Sequence, residues 1–473
     1  MGNESHYDHV VLISLDTLRS DALSVHPNPL WPHDHKDVHP VRTTVLDDLA
    51  RGGAYFPNMI SAAPYTAAAH GAIFTGQYPL HNGIHEFYNG SLRAPSVFTY
   101  GRRAGRSTIL KTDFPIILGP QLGFTRDVDT YLVEDDDAFI EAVIDSESTL
   151  ACAHFGGVHV PYGFHNLTFG GDDYRQKVAE LTAGLPESLP FNDLLVESHR
   201  NPEDTELLVS YKRATAYMHS QGEYDRLMQL YLEGVEYFLE NRFAPFVERL
   251  RERMAAAGKR MLLAVFADHG EAFDERTNGH FNSMAEPVLR VPLIISGDGV
   301  EPGMHTNRIR TIDVAPTVLD LAGIRTAATG VFDGRSLAAV ARGTEALDGD
   351  APAIAESYNA ELNDFVAYQK RQLSGSTPGP LQHFLVGHAA YLDDKRVVRL
   401  TRHYSDWFLK TTPTDMSWVE RFDADGIPHR DPDADGSELF AMLDDYRTAL
   451  REPDQVPFTD EIRGQLRSLG YSV

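Results

Sequence analysis

Short runs of Val, Ile and Leu alternate along the chain with stretches whose apolar residues recur at helical spacing. The segments "HVVLISLD", "SESTLACAHF", "RMLLAVFADHG" and "VPLIISG" are continuous apolar runs of strand length that end in polar residues. That is the pattern of strands buried on both faces. Between them, "TVLDDLARGG", "DAFIEAVIDS", the long segment "YDRLMQLYLEGVEYFLENRFAPFVERLRERMAAAGK" and "IDVAPTVLDLAGI" predict helices. The alternation predicts an α/β fold in which helices cover both faces of a mostly parallel sheet. Ligands of such sheets lie beyond the carboxyl ends of the strands. Two of the predicted strands end there in a carboxylate, Asp16 in one and Asp268 in the other, with His269 directly after.

Three segments depart from this rhythm. His26–Pro40, rich in Pro and His, predicts a loop with solvated histidines at 26, 33, 35 and 39. Residues 167–223 read as a helical and looped insertion, and "ARGTEALDGDAPAIAES" as a crossing into a portion of different character. The expected division is a larger domain over 1–345 and a C-terminal α+β subdomain over 346–473. In the latter, "AAYLDDKRVVRLTRHYSDWFLK" predicts antiparallel strands and "TDEIRGQLRSLGY" a closing helix.

Composition narrows the partners. Acidic residues outnumber basic ones 68 to 42, for a formal charge of −26, and only eight of the 42 are lysine. Such a surface repels nucleic-acid phosphates and anionic membranes, so neither is expected as a partner. Lysine scarcity beside excess Asp and Glu points to adaptation to high salt. No apolar run reaches the length of a membrane span, and the start of the chain lacks a signal-peptide pattern, so a cytoplasmic protein is expected. Cys152 stands alone, so an intrachain disulfide and a thiolate metal cluster are excluded; inside its apolar run it is expected in the core.

Chemistry concentrates in three places. Asp268 and His269 together offer an oxygen and a nitrogen ligand, a set that suits Zn or Mn, with Ca and Mg as further divalent choices. Taken alone, a strand-end Asp that caps the next turn, with a His packed on it, accounts for the same dipeptide. Asp16 follows a buried run, where a carboxylate needs an ionic or polar partner. Thr66, before Ala67-Ala68-Ala69, is placed as a helix N-cap, at a helix end that favours anionic groups.

The segments "LDTLRSD", "APYTAAAHGAIFTGQYPLHNGI", "HVPYG", "FADHGEAFDE", "GHFNSMAEPVLRVPLIISG" and "TIDVAPTVLDLAGI" occur in one order over about residues 8–340. In that order they resemble the sulfatase branch of the alkaline phosphatase superfamily. "ELFAMLDDY" and "EIRGQLRSLGY" resemble it more weakly. The resemblance implies a three-layer α/β/α sandwich and a hydrolase of small anionic esters. It assigns Asp16, Asp268, His269 and Thr66 to a divalent metal ion, and Thr66 to the nucleophile position. It gives His159 and His280 to the substrate anion and to proton transfer, and Lys111 to the substrate. His70 stands where the family has an arginine and is expected to bind the substrate.

Thr66 also departs from the sulfatase pattern, whose Cys or Ser is oxidised to formylglycine. The β-carbon of threonine carries a methyl group, so its oxidation would give a ketone. Members with Thr at this place are typically phosphodiesterases, phosphonate hydrolases or phosphotransferases, whose hydroxyl attacks phosphorus directly. Thr17 replaces a second family aspartate and Gly157 another, which implies one divalent ion rather than two. The alternatives are a sulfuric ester hydrolase by family label, a phosphotransferase to an acceptor alcohol, and a metal-binding module without catalysis. Assembly into a homo-oligomer is left open.

Overall fold

The computed structural model describes residues 7–85, 90–115, 117–164, 167–186, 202–324, 331–360, 383–406 and 410–448. The first half supplies β1 (His9–Leu15), β2 (Ala54–Ile60), β3 (Ser107–Thr112), β4 (Thr130–Val133) and β5 (Thr149–Phe155). After them come β6 (Met261–Phe266), β7 (Ala272–Phe273), β8 (Asn278–Gly279), β9 (Arg290–Ser296), β10 (Gly303–Met304) and β11 (Ile309–Arg310). The main sheet runs β10-β2-β9-β6-β1-β5-β3-β4, with β11 also on β2. Every pairing in it is parallel except those of β9 with β2 and β6. The α/β fold with a mostly parallel sheet is therefore as expected.

β1 lies at the centre, between β6 and β5, and Val10, Val11, Leu12 and Ile13 on it are fully buried. Burial of each such side chain contributes about 1.5–3 kcal/mol relative to exposure. Strands sandwiched by helices show no polar face, which is why their sequence runs apolar without alternation. Cys152 is buried in β5, as expected, and burial pushes its thiol well up from the ordinary range. The long helical segment is not one regular helix. It divides into Tyr224–Phe238, a wider turn over Leu239–Phe243, and Ala244–Ala256, with Pro245 at the start of the last piece. Proline lacks the N–H for an interior helical bond and is tolerated only in the first turn.

Two expectations for His26–Pro40 are corrected. Trp31–Asp34 forms one helical turn inside the loop. His26 and His35 are buried rather than solvated. His35 Nδ1 meets Asp225 Oδ1 at 3.0 Å, which ties the loop to the helix Tyr224–Phe238. Of the insertion, helices Leu167–Thr182 and Pro202–Ser220 are described. The helix expected over "TDEIRGQLRSLGY" lies outside the described residues.

A second sheet follows, an antiparallel meander β12 (Ala353–Ala360), β13 (His383–Leu392), β14 (Lys395–Asp406), β15 (Lys410–Phe422) and β16 (Pro428–Arg430). Its inner residues Ile354, Ala390 and Val397, with Leu439 and Leu443 of helix Ser437–Thr448, pack on Ala62, Ala72 and Ile312 from the part of the chain that carries the main sheet. Among the described residues no helix is long and apolar enough to cross a membrane.

One buried acid in this interface makes a measurable prediction. Glu356 of β12 is 2% exposed and accepts a hydrogen bond from Tyr446 Oη at 3.0 Å; burial pushes its carboxyl from 4.5 up to about 8. The folded protein then holds a proton that the unfolded chain has released. Stability from this group is complete below about pH 4.5 and is lost as pH rises through about 8. Each unit of separation corresponds to about 1.4 kcal/mol. Urea unfolding at pH 6 and pH 9 should therefore show a smaller pH-linked loss in Glu356→Gln than in the wild type; equal losses would refute the assignment.

Candidate active site

The adjacency of β6, β1 and β5 brings three strand ends together. β1 residue Ser14 pairs with Phe266 of β6 on one side and with His154 of β5 on the other. Asp16, one residue past β1, and Asp268, two past β6, therefore emerge side by side. Asp16, Asp268 and His269 are fully buried, and one ligand atom from each lies within 4.8 Å of the others. His269 Nε2 is 3.6 Å from Asp16 Oδ1 and 3.4 Å from Asp268 Oδ2. Asp268 Oδ2 and His269 Nε2 are buried polar atoms without a hydrogen-bond partner. Burial, then the negative charge of Asp16, pushes the Asp268 carboxyl up to about 6, and burial holds His269 down to about 4. Two confined carboxylates and a neutral imidazole with an open nitrogen fit a divalent cation.

The turn after β1 is held in a specific shape. Thr17 adopts φ of 62°, and Tyr231 Oη donates to its carbonyl at 2.9 Å while accepting from Arg19 N at 2.9 Å. Thr17 Oγ1 donates to the Asp16 carbonyl at 2.7 Å, so its hydroxyl is occupied locally. Arg19 forms a buried bidentate pair with Asp21 and reaches the Glu271 carbonyl at 3.2 Å, which pins the segment after His269. Gly270 is required there, because a Cβ would fall 2.1 Å from the Pro287 carbonyl oxygen.

Thr66 approaches from the helix Thr66–Thr75, which follows β2. The expected N-cap role is corrected: Tyr65 is the cap residue, no side chain caps the helix, and Thr66 is its first helical residue. Its Oγ1 donates instead to Asp16 Oδ2 at 3.1 Å. The same oxygen meets His154 Nε2 at 3.1 Å. Because a carboxylate only accepts, His154 carries its proton on Nε2. Its Nδ1 faces Thr112 Oγ1 at 3.2 Å.

His70 sits on the same helix and is fully buried. Nδ1 donates to the Thr66 carbonyl at 2.9 Å, and Nε2 faces Ser14 Oγ at 2.8 Å. Both ring nitrogens are thus engaged within the fold, which corrects the expected substrate-binding role, and burial pushes the imidazole down to about 4. Lys111 does not join the group. Its ammonium pairs with Asp113 at 2.7 Å and Asp136 at 2.8 Å and donates to the His154 carbonyl at 3.2 Å. Three donors thus meet three acceptors. Arg242 closes this buried network from the far side of the sheet, bonding both Asp113 and Asp136.

His159 and His280 do come together, with ring centroids 5.2 Å apart, and His280 lies 4.3 Å from His269. His159 Nδ1 donates to the Val160 carbonyl at 2.9 Å, which leaves a lone pair on Nε2. Burial, then His280, holds its imidazole well below the usual range. His280 Nδ1 meets Glu271 Oε1 at 3.0 Å. Burial pushes the fully buried Glu271 carboxyl up to about 8, so near neutrality it donates to Nδ1 and leaves His280 an Nε2–H. The two imidazoles thus present opposite groups, an acceptor and a donor.

Four contributors were not singled out from the sequence: His154, Glu271, Ser14 and Lys212. His154 carries the same signal as Asp16, a polar residue at the end of an apolar run. Lys212, on the helix Pro202–Ser220, is held down to about 8 by burial, and its charge acts on both His159 and His280. At Gly157 a Cβ would fall 2.0 Å from the Phe238 ring, so the space of another acidic ligand is filled.

A family model described as "Sulfatase" matches residues 8–324. The chain is 36% identical over 103 residues to a choline-sulfatase of Rhizobium meliloti, a match covering 22% of this chain and 19% of that protein. It is 24% identical over 331 residues to arylsulfatase K of Danio rerio, covering 66% of this chain and 55% of the relative. These matches therefore span at most about half the length of either relative. Among solved structures, the phosphonate monoester hydrolase SpPMH from Silicibacter pomeroyi shares the fold with a TM-score of 0.58 at 18% identity, covering 93% of this chain and 94% of that one.

Proposed function

The chain belongs to the sulfatase family, and on that premise we propose that it hydrolyses anionic phosphorus esters, with Thr66 as the nucleophile. The observation that carries the reading is the hydrogen bond from Thr66 Oγ1 to Asp16, itself one of the three grouped metal-ligand candidates. Asp16, Asp268 and His269 would hold one divalent ion beside Thr66. That ion supplies Lewis-acid polarisation and a lower hydroxyl pKa.

This chain's residues account for the remaining steps. Thr66 loses its proton along the bond to Asp16, and its oxygen forms a bond to phosphorus as the ester P–O bond breaks. His280 gives its Nε2 proton to the departing oxygen and regains one at Nδ1 from Glu271. A water molecule, deprotonated by His159 Nε2, then forms a bond to phosphorus as the P–O bond to Thr66 breaks, and the Thr66 oxygen takes its proton back from Asp16. His154 and His70 are positioning residues: the first orients the Asp16 carboxylate, the second anchors the helix that carries Thr66. Lys212 adds positive charge where an anionic substrate would sit.

Phosphodiesters and phosphonate monoesters are favoured over sulfate esters because threonine cannot form the formylglycine aldehyde. The likeness in fold to a phosphonate monoester hydrolase is compatible with that preference. The test is a comparison of kcat/KM for a bis-aryl phosphate, an aryl phosphonate and an aryl sulfate, with divalent ion present. Faster turnover of either phosphorus ester is the expected result. Turnover of the aryl sulfate alone would overturn the assignment.

A further inference from the structure

A half-open cavity of about 310 Å³ lies where the C-terminal meander meets the edge of the main sheet, and none of the site residues above lines it. Arg290, Arg308 and His26 form part of its wall, each less than a tenth exposed. Arg290 lies over the Phe422 ring at 5.6 Å; its Nε and Nη2 are bonded to Glu286, and Nη2 also to the Gly426 carbonyl at 2.8 Å. Arg308 lies over the Tyr391 ring at 5.5 Å, with Nε on the Ala351 carbonyl and Nη2 on the Asp393 carbonyl, both at 2.8 Å. Each guanidinium is thus fixed in plane, and among the described residues neither Nη1 has a hydrogen-bond partner. Gly426 leaves the first of them uncovered: a Cβ there would lie 3.5 Å from Arg290 Nη1. Asn28 N donates to His26 Nδ1 at 3.2 Å, so the proton is on Nε2, a buried donor without a partner. Burial weighs most on the Arg308 charge, which Asp350, 3.8 Å from Nη2, and Glu286 favour and Arg290 opposes.

The other charged lining residues are acidic: Glu286 bonds Arg290, Asp350 lies 3.8 Å from Arg308 Nη2, and the remainder lie in hairpin turns. Of the hairpin-turn carboxylates, Asp394 is paired with Arg421, and Asp423 is bonded within its own turn and to His429. The side chains of Asp393 and Asp425 have no partner among the described residues, and both residues are exposed. Among the described residues only Asp16, Asp268 and His269 group closely enough for a metal, so these turn carboxylates do not form an ion site.

We propose that this cavity is a second ligand site, which takes a small zwitterion with its oxyanion on Nη1 of Arg290 and Arg308 and its ammonium facing Asp393 and Asp425. Prefixed guanidiniums reduce the ordering cost of binding, and an oxyanion would take charge-assisted hydrogen bonds from the two open Nη1 groups. The separation of the two signs selects against ligands that carry only one charge.

Calorimetric titration with 3-aminopropanesulfonate, with propanesulfonate and propylammonium as single-charge controls, tests this. The zwitterion should bind at least about tenfold more tightly than either control. Thr66→Ala should leave its binding unchanged, and Arg308→Lys should weaken it at least about tenfold. Asp425→Asn, at an exposed turn position, should lower zwitterion affinity while leaving propanesulfonate binding unchanged. Absence of saturable zwitterion binding, equal affinity for propanesulfonate, or full affinity in Asp425→Asn would each overturn the proposal.

Discussion

Thr66→Ala is expected to lower kcat on a phosphonate or phosphodiester substrate by at least about 10³-fold, on the scale of nucleophile deletions in other hydrolases. The fold should survive, because among the described residues the hydroxyl makes a single hydrogen bond, to Asp16 Oδ2, and His154 still occupies that oxygen when the hydroxyl is gone. Thr66→Ser keeps an attacking hydroxyl and should retain far more activity than alanine. Intact-mass measurement after rapid quenching should find a phosphoryl adduct on the wild type and none on Thr66→Ala. Undiminished turnover by the alanine variant would eliminate the threonine mechanism.

Asp268→Asn is expected to weaken divalent-ion binding by at least about 100-fold and to remove metal-dependent stabilisation. The substitution is isosteric and keeps an Oδ1 acceptor for the backbone N–H groups of Thr17 and His269. It removes the negative charge that would hold the ion. A ligand at 100 times its Kd stabilises the folded state by about 2.7 kcal/mol, so wild-type melting should rise on adding the ion after chelation and the variant's should not. In chelator the variant should be at least as stable as the wild type, because it relieves the crowding of Asp16 against Asp268 that helps push the latter up to about 6. Equal metal-induced stabilisation of both proteins would rule out Asp268 as a ligand.

Asp16 and Asp268 were legible in the sequence as strand-end carboxylates, each after an apolar run; their reading as metal ligands came from the family resemblance, because a capping Asp accounts for the same local pattern. His269 came with Asp268 for the same cause. His154 was not found, although it sits near the end of just such a run. Its partner Asp16 is 138 residues away in the chain and reaches it only because β5 lies beside β1. Lys111 shows the converse. Its neighbour Thr112 faces His154, so strand alternation turns Lys111 to the opposite face, where Asp113, Asp136 and Arg242 enclose it. The histidines of the 26–40 segment looked solvated because the loop is polar in composition, yet the helix Tyr224–Phe238 covers part of it.

Local pattern was enough to specify the α/β class, the strand-end position of the metal candidates, and the limit that a threonine β-carbon sets on formylglycine chemistry. Those properties depend on residue type and on periodicity within a few residues. The order of strands in the sheet, the opposite tautomers of His159 and His280, and the meeting of Arg290 and Arg308 with acidic hairpin turns depend on contacts between distant segments. Such contacts leave no trace in local periodicity, because hydrogen bonds and charge pairs act over a few ångströms of space whatever the distance along the chain.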